Sequence, residues 1–267
     1  ALASLIAILI GGVAFVLYFR RPASTVRFHP SSWRPDFTLW RQMLGIGLPA
    51  GGEFALMGVY MGLVYHVIQI FGSAAQAGFG IGVRLMQSLF LPAVAIGFAA
   101  APVVGQNFGA REAARVRQTF RTAVALVVAV MAVMTLICRF APAALVRVFS
   151  HDEAVVAFGS EYLSIVSWNF VATGIIFVGS STMQGLGNTR PALLASLLRL
   201  ILFALPVFWL AHLPTFSMRH VWYLSLGSVF AHMTLLLWLV QRQFAIRMPP
   251  EMTPVPTGAV SEPAQRA

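Results

Sequence analysis

The sequence predicts an all-α fold, a polytopic membrane helix bundle with about seven transmembrane helices. Three observations predict it. Hydrophobic residues make up 58% of the chain and charged residues only 10%, whereas soluble domains carry about a quarter charged residues. The mean hydropathy is +0.80. The apolar residues also gather in stretches of about 20, the length a helix with ~1.5 Å rise per residue needs to cross a ~30 Å hydrocarbon core.

Seven such stretches can be drawn: 2–19, 43–70, 78–104, 120–139, 158–183, 192–212 and 221–244. The first has the length of a signal peptide. It lacks a basic start, however, and ends in Arg20-Arg21 rather than at a small-residue cleavage site. It reads as a span entered from outside, and the chain, which begins at Ala1, as a fragment. The second contains Pro49 and Glu53. The third is the centre of the pattern, with no charge from Leu85 to Val104, Arg84 near its start, Gln87 one turn on and Pro92 in its middle. Lipid offers no water to freed backbone groups, so a helix interrupted at Pro92 is expected to pack on other helices or line a wet cavity. That favours a transporter-like bundle over a passive tether, with Pro92 as a hinge. The fifth stretch carries Ser164, Ser167, Asn169 and Thr173, the sixth opens at Pro191 and holds Arg199, and the seventh holds His232. Pro at a helix start sacrifices no hydrogen bond. The tail, 248–267, is rich in Pro, Thr and Ala without an apolar period, and is expected to be disordered.

All 18 basic residues are Arg, which reads as a coding bias. A formal charge of +10 would suit a nucleic-acid partner, but the arginines concentrate in the loops of one face. Thirteen fall there: Arg20, Arg21, Arg27, Arg34 and Arg41, then Arg111, Arg115, Arg117 and Arg121, then Arg190, then Arg242, Arg247 and Arg266. Arg139, Arg147 and Arg219 fall on the other face. The positive-inside rule therefore places the C-terminus in the cytoplasm of a multi-pass protein of the cell membrane, with lipid and not nucleic acid as its surroundings. Seven crossings that end inside begin outside, so a cytoplasmic N-terminus requires an odd number of spans upstream. The single cysteine, Cys138, excludes an internal disulfide and a cysteine-based metal cluster, and reads as a small buried apolar residue.

Glu53 is the sharpest functional candidate. Ten residues past Met43, it lies ~15 Å into the membrane, deeper than any other carboxylate. An ionised acid at mid-bilayer costs ~2.5–3.5 kcal/mol or more, so Glu53 is expected to carry a proton or a cation, or to be paired. The plainer alternative is an acid that only joins helices, or one that meets a helix dipole if Pro49 breaks its helix. Arg199 lies at a matching depth, ~12 Å by the same rise, and could pair with Glu53. Arg84 matches less well, and snorkelling is the plain reading of both arginines. Gln87, Asn169 and His232 fall near mid-depth, where polar side chains line a wet cavity or bond between helices. His232 reads as a satisfied neutral histidine or as a titrating one. Met57, Met61, Met86, Met183 and Phe90 offer soft apolar surface, although most such residues are ordinary packing. Gly58-x-x-x-Gly62 and Gly78-x-Gly-x-Gly82 read as close helix packing. No cofactor is expected beyond a coupling ion, H⁺ or Na⁺, and no metal site other than Na⁺ at Glu53. No Gly-x-Ser-x-Gly, His-Glu-x-x-His or Walker motif is present, so neither a hydrolase nor an ATP-driven pump is supported.

Two cytoplasmic helix ends echo one another, Val104-Gly-Gln-Asn-Phe-Gly-Ala-Arg111 and Met183-Gln-Gly-Leu-Gly-Asn-Thr-Arg190. Each stops at Gln and Gly, and Gly tolerates the left-handed cap that ends a helix. The first, extended back as Ala95-x-Gly-Phe-x-x-x-Pro-Val-Val-Gly-Gln-Asn-x-Gly-Ala-Arg111, resembles the eighth helix of the multidrug and toxic compound extrusion (MATE) transporters. The second, continued to Pro191, resembles the junction of their tenth and eleventh helices. Gly47-Leu-Pro-Ala-Gly-Gly-Glu53 resembles the start of their seventh. The resemblance covers nearly all of the chain except the tail. It implies the sixth helix and inter-lobe loop (1–41) followed by the C-terminal six-helix lobe (42–247), with an N-terminal lobe of five more helices missing. Members are similar in exporting lipophilic, often cationic compounds in exchange for H⁺ or Na⁺ through two rocking lobes. The position matching Glu53 has cation or substrate roles in the family. Some members carry an acid midway along the tenth helix, where this chain has none beyond Glu161.

The implied function is multidrug efflux by cation-coupled antiport. Glu53 binds H⁺ or Na⁺ from outside, pairing among the second, fifth and sixth spans changes, Pro92 bends, and drug binding weakens. The rivals are a lipid-linked oligosaccharide flippase of related architecture, a membrane-embedded enzyme, and a truncated transporter half without activity. A flippase would need more cationic side chains in its spans than Arg84 and Arg199. An enzyme would need clustered His, Asp or Cys.

Overall fold

Each apolar stretch forms a helix in the computed structural model, which describes residues 2–19, 36–214 and 216–248. The helices are α1 (Leu2–Phe19), α2 (Phe37–Ile68), α3 (Ser73–Gly109), α4 (Ala113–Phe140), α5 (Pro142–Arg147), α6 (Glu153–Val166), α7 (Asn169–Gly185), α8 (Arg190–Leu210) and α9 (Met218–Arg247). No strand occurs among the described residues. The expected tail and most of the first inter-helix loop, with Arg20, Arg21, Arg27, Arg34 and Arg266, lie outside the described residues.

The chain divides into two compact units, Ala1–Met43 and Leu44–Ala267. In the first, α1 exposes apolar side chains on all sides, among them Leu5, Ile8, Leu9, Val13 and Phe15. Its 18 residues reach ~27 Å, within the length range of membrane-crossing helices. Among the described residues, five helices, α2, α3, α4, α8 and α9, are long and apolar enough to cross a membrane, and a sixth crossing is present if the bent pair α6–α7 is one span.

The break falls elsewhere than expected. Pro92 and Pro102 lie inside a continuous α3, and Pro49 inside a continuous α2. Neighbouring helices re-satisfy what a membrane proline frees, and α3 packs on α4, α6 and α7. The expected fifth span is broken instead, by a 55° bend between α6 and α7. At this bend the Thr135 hydroxyl of α4 donates to the Ser167 carbonyl at 3.1 Å, beside its bond to Met131 within α4. The same carbonyl accepts the Phe170 N–H at 3.0 Å, so the α4 hydroxyl adds a second bond that ties the bend to α4.

The α6 start is also set locally. Asp152 Oδ1 accepts from the backbone N–H groups of Ala154 and Val155, an N-cap that fills orphan donors. Asp152→Ala should destabilise the protein by about 1 kcal/mol, read as a lower midpoint of thermal unfolding.

Two turns and the end of α9 meet at one end of the second unit. Arg247 donates to the Leu186 carbonyl at 2.6 Å, Arg117 to the Met248 carbonyl at 3.3 Å, and Asn188 to Gln243 at 3.1 Å. The start of α4, with Arg115, Arg117 and Arg121 just past Arg111 of the α3–α4 turn, thus shares an end with the α7–α8 turn and the α9 terminus. Gly187 closes α7 in the left-handed region (φ 71°), as expected, and Pro191 lies in the first turn of α8. The echo at α3 is imperfect, because there Arg111 itself takes the left-handed conformation (φ 60°) beyond Gly109.

Apolar packing fills the interior of this unit. Phe79 meets Tyr65, Tyr162 and Trp222 at ring separations of 4.8, 5.1 and 5.8 Å, a geometry that adds to simple area burial. Cys138 is a free, buried thiol. Gly78 and Gly82 pack closely, since a Cβ at Gly78 would lie 2.8 Å from the Val155 carbonyl oxygen and one at Gly82 would enter the Tyr162 ring. Gly58 and Gly62 correct the parallel expectation, for a Cβ there meets nothing within 4 Å.

Candidate functional site

Helix geometry places Glu53 near the middle of α2, half-buried, on the side that faces α7 and α8. The Ser180 hydroxyl of α7 donates to Glu53 Oε2 at 2.9 Å. Glu53 Oε1 is buried with no hydrogen-bond partner among the described residues. A buried carboxylate oxygen left open is expensive unless a proton or cation fills it.

Two helical turns further along α2 lies Tyr60. Its hydroxyl meets Ser225 Oγ of α9 at 2.8 Å, and Asn169 Nδ2, at the first position of α7, donates to the same Ser225 oxygen at 3.4 Å. The bend before α7 thus brings Asn169 to the α2–α9 contact. Asn169 Oδ1 has no partner among the described residues.

The expected Glu53–Arg199 pair does not form. The Arg199 guanidinium lies over the Tyr60 ring, 4.7 Å from its centroid, a cation–π contact worth about 0.5–2 kcal/mol. Its Nε is buried without a hydrogen-bond partner. Tyr60 lies two turns beyond Glu53 on the same face of α2, so Arg199 sits ~10 Å further along the helix than Glu53, and a depth counted from the drawn span ends does not bring the two together. The ion pairs among the described residues are Arg147–Glu153 and Arg219–Glu161.

His232, on α9, is 4% exposed, and neither ring nitrogen has a hydrogen-bond partner. The expected satisfied histidine is therefore not what the structure holds. Gln87 stands apart from these residues, in a cavity with Met61, Tyr65 and Arg84. Of the soft side chains, Met61 lines that cavity while Met183 is fully buried in the core.

The assembled site is thus a polar seam across α2, α7, α8 and α9, built from Glu53, Ser180, Tyr60, Ser225, Asn169, Arg199 and His232. Sequence reasoning missed Ser180, Tyr60 and Ser225. Tyr60 follows Glu53 by seven residues and Ser225 precedes His232 by seven, the spacing of two turns on one helix face, so part of the seam was readable. Ser180 carries no such signal. No group of three or more His, Cys, Asp or Glu that could hold a metal occurs among the described residues.

Tyr60→Phe keeps the ring under Arg199 and removes one hydroxyl. It should destabilise the protein by about 0.5–1.5 kcal/mol. In a double-mutant cycle of thermal unfolding with Ser225→Ala, the two losses should be non-additive.

Comparisons with known proteins agree with this architecture. The MatE family model matches residues 49–210. The chain is 28% identical over 193 residues to the multidrug export protein MepA of Staphylococcus haemolyticus (strain JCSC1435), covering 72% of this chain and 42% of MepA. It is 26% identical over 218 residues to the multidrug resistance protein NorM of Burkholderia vietnamiensis, covering 79% of this chain and 47% of NorM. The crystal structure of MATE in the bent conformation matches 92% of this chain and 55% of its own length, with a TM-score of 0.83 at 17% identity, a likeness of fold. The chain spans about half the length of the curated relatives it matches. With the family model matching more than half of its residues, on an all-helical membrane bundle of the same fold, the chain belongs to the MatE family.

Proposed function

We propose that this chain is one lobe of a multidrug exporter driven by exchange with H⁺ or Na⁺, with its α9 end in the cytoplasm. The observation that carries the reading is the Glu53 carboxyl, held by Ser180 through one oxygen while the other is buried and open. That open oxygen suits a proton, which needs one lone pair. It equally suits Na⁺, a hard cation that takes oxygen ligands, with the Ser180 hydroxyl beside it.

In this reading a second lobe, the part of the relatives that this chain does not span, forms the other wall of the pathway. Loading Glu53 changes its bond to Ser180 and so biases how α2 sits against α7. Pro92 serves as the hinge of α3. Ion and drug favour different states, so binding of one weakens binding of the other. MepA and NorM are named for multidrug export and multidrug resistance, which supports drugs as the cargo.

The test uses the whole protein in vesicles loaded with ethidium, a lipophilic cation, under an imposed H⁺ or Na⁺ gradient. Efflux should accelerate under one of the two gradients. Efflux that ignores both would overturn the reading.

A further inference from the structure

A second polar place lies on the α2–α3 side of the lobe. A cavity of about 600 Å³ is lined by Met61, Tyr65, Ile81, Arg84, Gln87 and Phe149, among others. None of its lining residues belongs to the Glu53 seam. Its chemistry is of one sign, with Arg84 as a cation, an amide at Gln87, a phenol at Tyr65, and no carboxylate.

Arg84 is unusual for its surroundings. It sits inside α3 with its side chain exposed, and it takes part in neither of the two ion pairs among the described residues. An exposed guanidinium with no carboxylate among its neighbours in the cavity is open to an anionic ligand. A guanidinium matches carboxylate and phosphate with two parallel N–H···O bonds. The remaining wall, Met61, Ile81 and Phe149, is apolar and deformable. The volume suits a drug-sized body, since ligand pockets run about 300–1,000 Å³.

We propose that this cavity binds an amphiphilic anion, a carboxylate or phosphate head on an apolar body. Arg84 is its ion partner, the Gln87 amide and Tyr65 hydroxyl donate to it, and the apolar wall holds the body. The site is separate from the ion-exchange reading above and is measured by binding rather than transport, so either can fail alone.

The experiment uses the purified protein in phosphatidylcholine vesicles. The probe is fluorescent pyrenebutyrate, and the control is the uncharged pyrenebutanol. The butyrate should bind saturably and at least tenfold tighter than the alcohol. Arg84→Gln should erase that preference, and Arg84→Lys should keep part of it. Gly80→Leu provides a second variant that leaves the charge in place. A Cβ at Gly80 meets only the Tyr65 hydroxyl, at 3.5 Å, so the larger side chain fills the cavity without backbone strain and should lower pyrenebutyrate affinity at least tenfold. Phosphatidylglycerol added to the vesicles distinguishes the sources. Displacement of the probe in wild type but not in Arg84→Gln assigns a lipid headgroup, and no displacement assigns a soluble organic anion. Equal affinity for the two probes, or wild-type preference retained in Arg84→Gln, would overturn the proposal. Should Arg84→Gln fail to fold, unchanged pyrenebutyrate binding in Gly80→Leu would overturn it equally.

Discussion

Glu53→Gln should reduce ion-driven ethidium efflux at least tenfold while leaving the amount of folded protein nearly unchanged. Glutamine has the shape of glutamic acid and keeps an oxygen that can accept the Ser180 hydroxyl. What it loses is the charge, and with it the ability to bind and release a proton or cation. The structural role and the exchange role of Glu53 are thereby separated. If Glu53 only joined α2 to α7, the variant would export normally. Glu53→Ala is less informative, since it also strands the buried Ser180 hydroxyl and opens a cavity. The measurement is the initial rate of efflux at matched protein levels, under each gradient. Unchanged coupled efflux in Glu53→Gln would remove this residue from the mechanism.

The second large effect concerns stability. Gly78→Ala should destabilise the lobe by about 1–3 kcal/mol, the usual penalty of overpacking. The added Cβ would lie 2.8 Å from the Val155 carbonyl oxygen and 2.9 Å from the Gly159 nitrogen. Both are backbone atoms of α6, which cannot turn aside as a side chain can, so α3 and α6 must separate. Gly58→Ala provides the matched control. Its Cβ meets nothing within 4 Å, and Ala is favoured over Gly in a helix by up to about 1 kcal/mol. Thermal unfolding in detergent should therefore show a clear drop for Gly78→Ala and no loss for Gly58→Ala. Equal losses would mean that both glycines pack alike, against the geometry described above.

These glycines show what the sequence could and could not reveal. A four-residue spacing puts two glycines on one helix face, but it does not say whether another helix covers that face. Depth has the same limit. The rise counted from the drawn span ends placed Glu53 and Arg199 at one level, yet Arg199 lies over Tyr60, two turns beyond Glu53 on the same face of α2. The bend was misplaced because proline is a visible breaker, whereas α3, packed on three helices, runs through Pro92 unbroken. The actual bend at Ser167 and Trp168 carries no proline or glycine, and a hydroxyl from α4 ties it to that helix. Hydropathy, in contrast, located six of the apolar stretches well. Several of the observed helices, such as α3, α4 and α9, extend past them at both ends, because helical hydrogen bonding continues beyond the hydrocarbon into polar ends such as 105–109. The left-handed stop at Gly187 was local and readable, whereas the cap at Asp152 emerged only with the structure. Ser180 could not be found from spacing, since its role depends on which helix lies opposite.

The most direct test of the account is competition between drug and ion at equilibrium. Ethidium binding to the purified whole protein would be titrated across pH at fixed Na⁺, and across Na⁺ at fixed pH, for wild type and Glu53→Gln. The coupling ion should weaken ethidium binding in wild type, and this dependence should vanish in Glu53→Gln. Ethidium affinity that is indifferent to both ions in wild type, or equally ion-dependent in the variant, would contradict it.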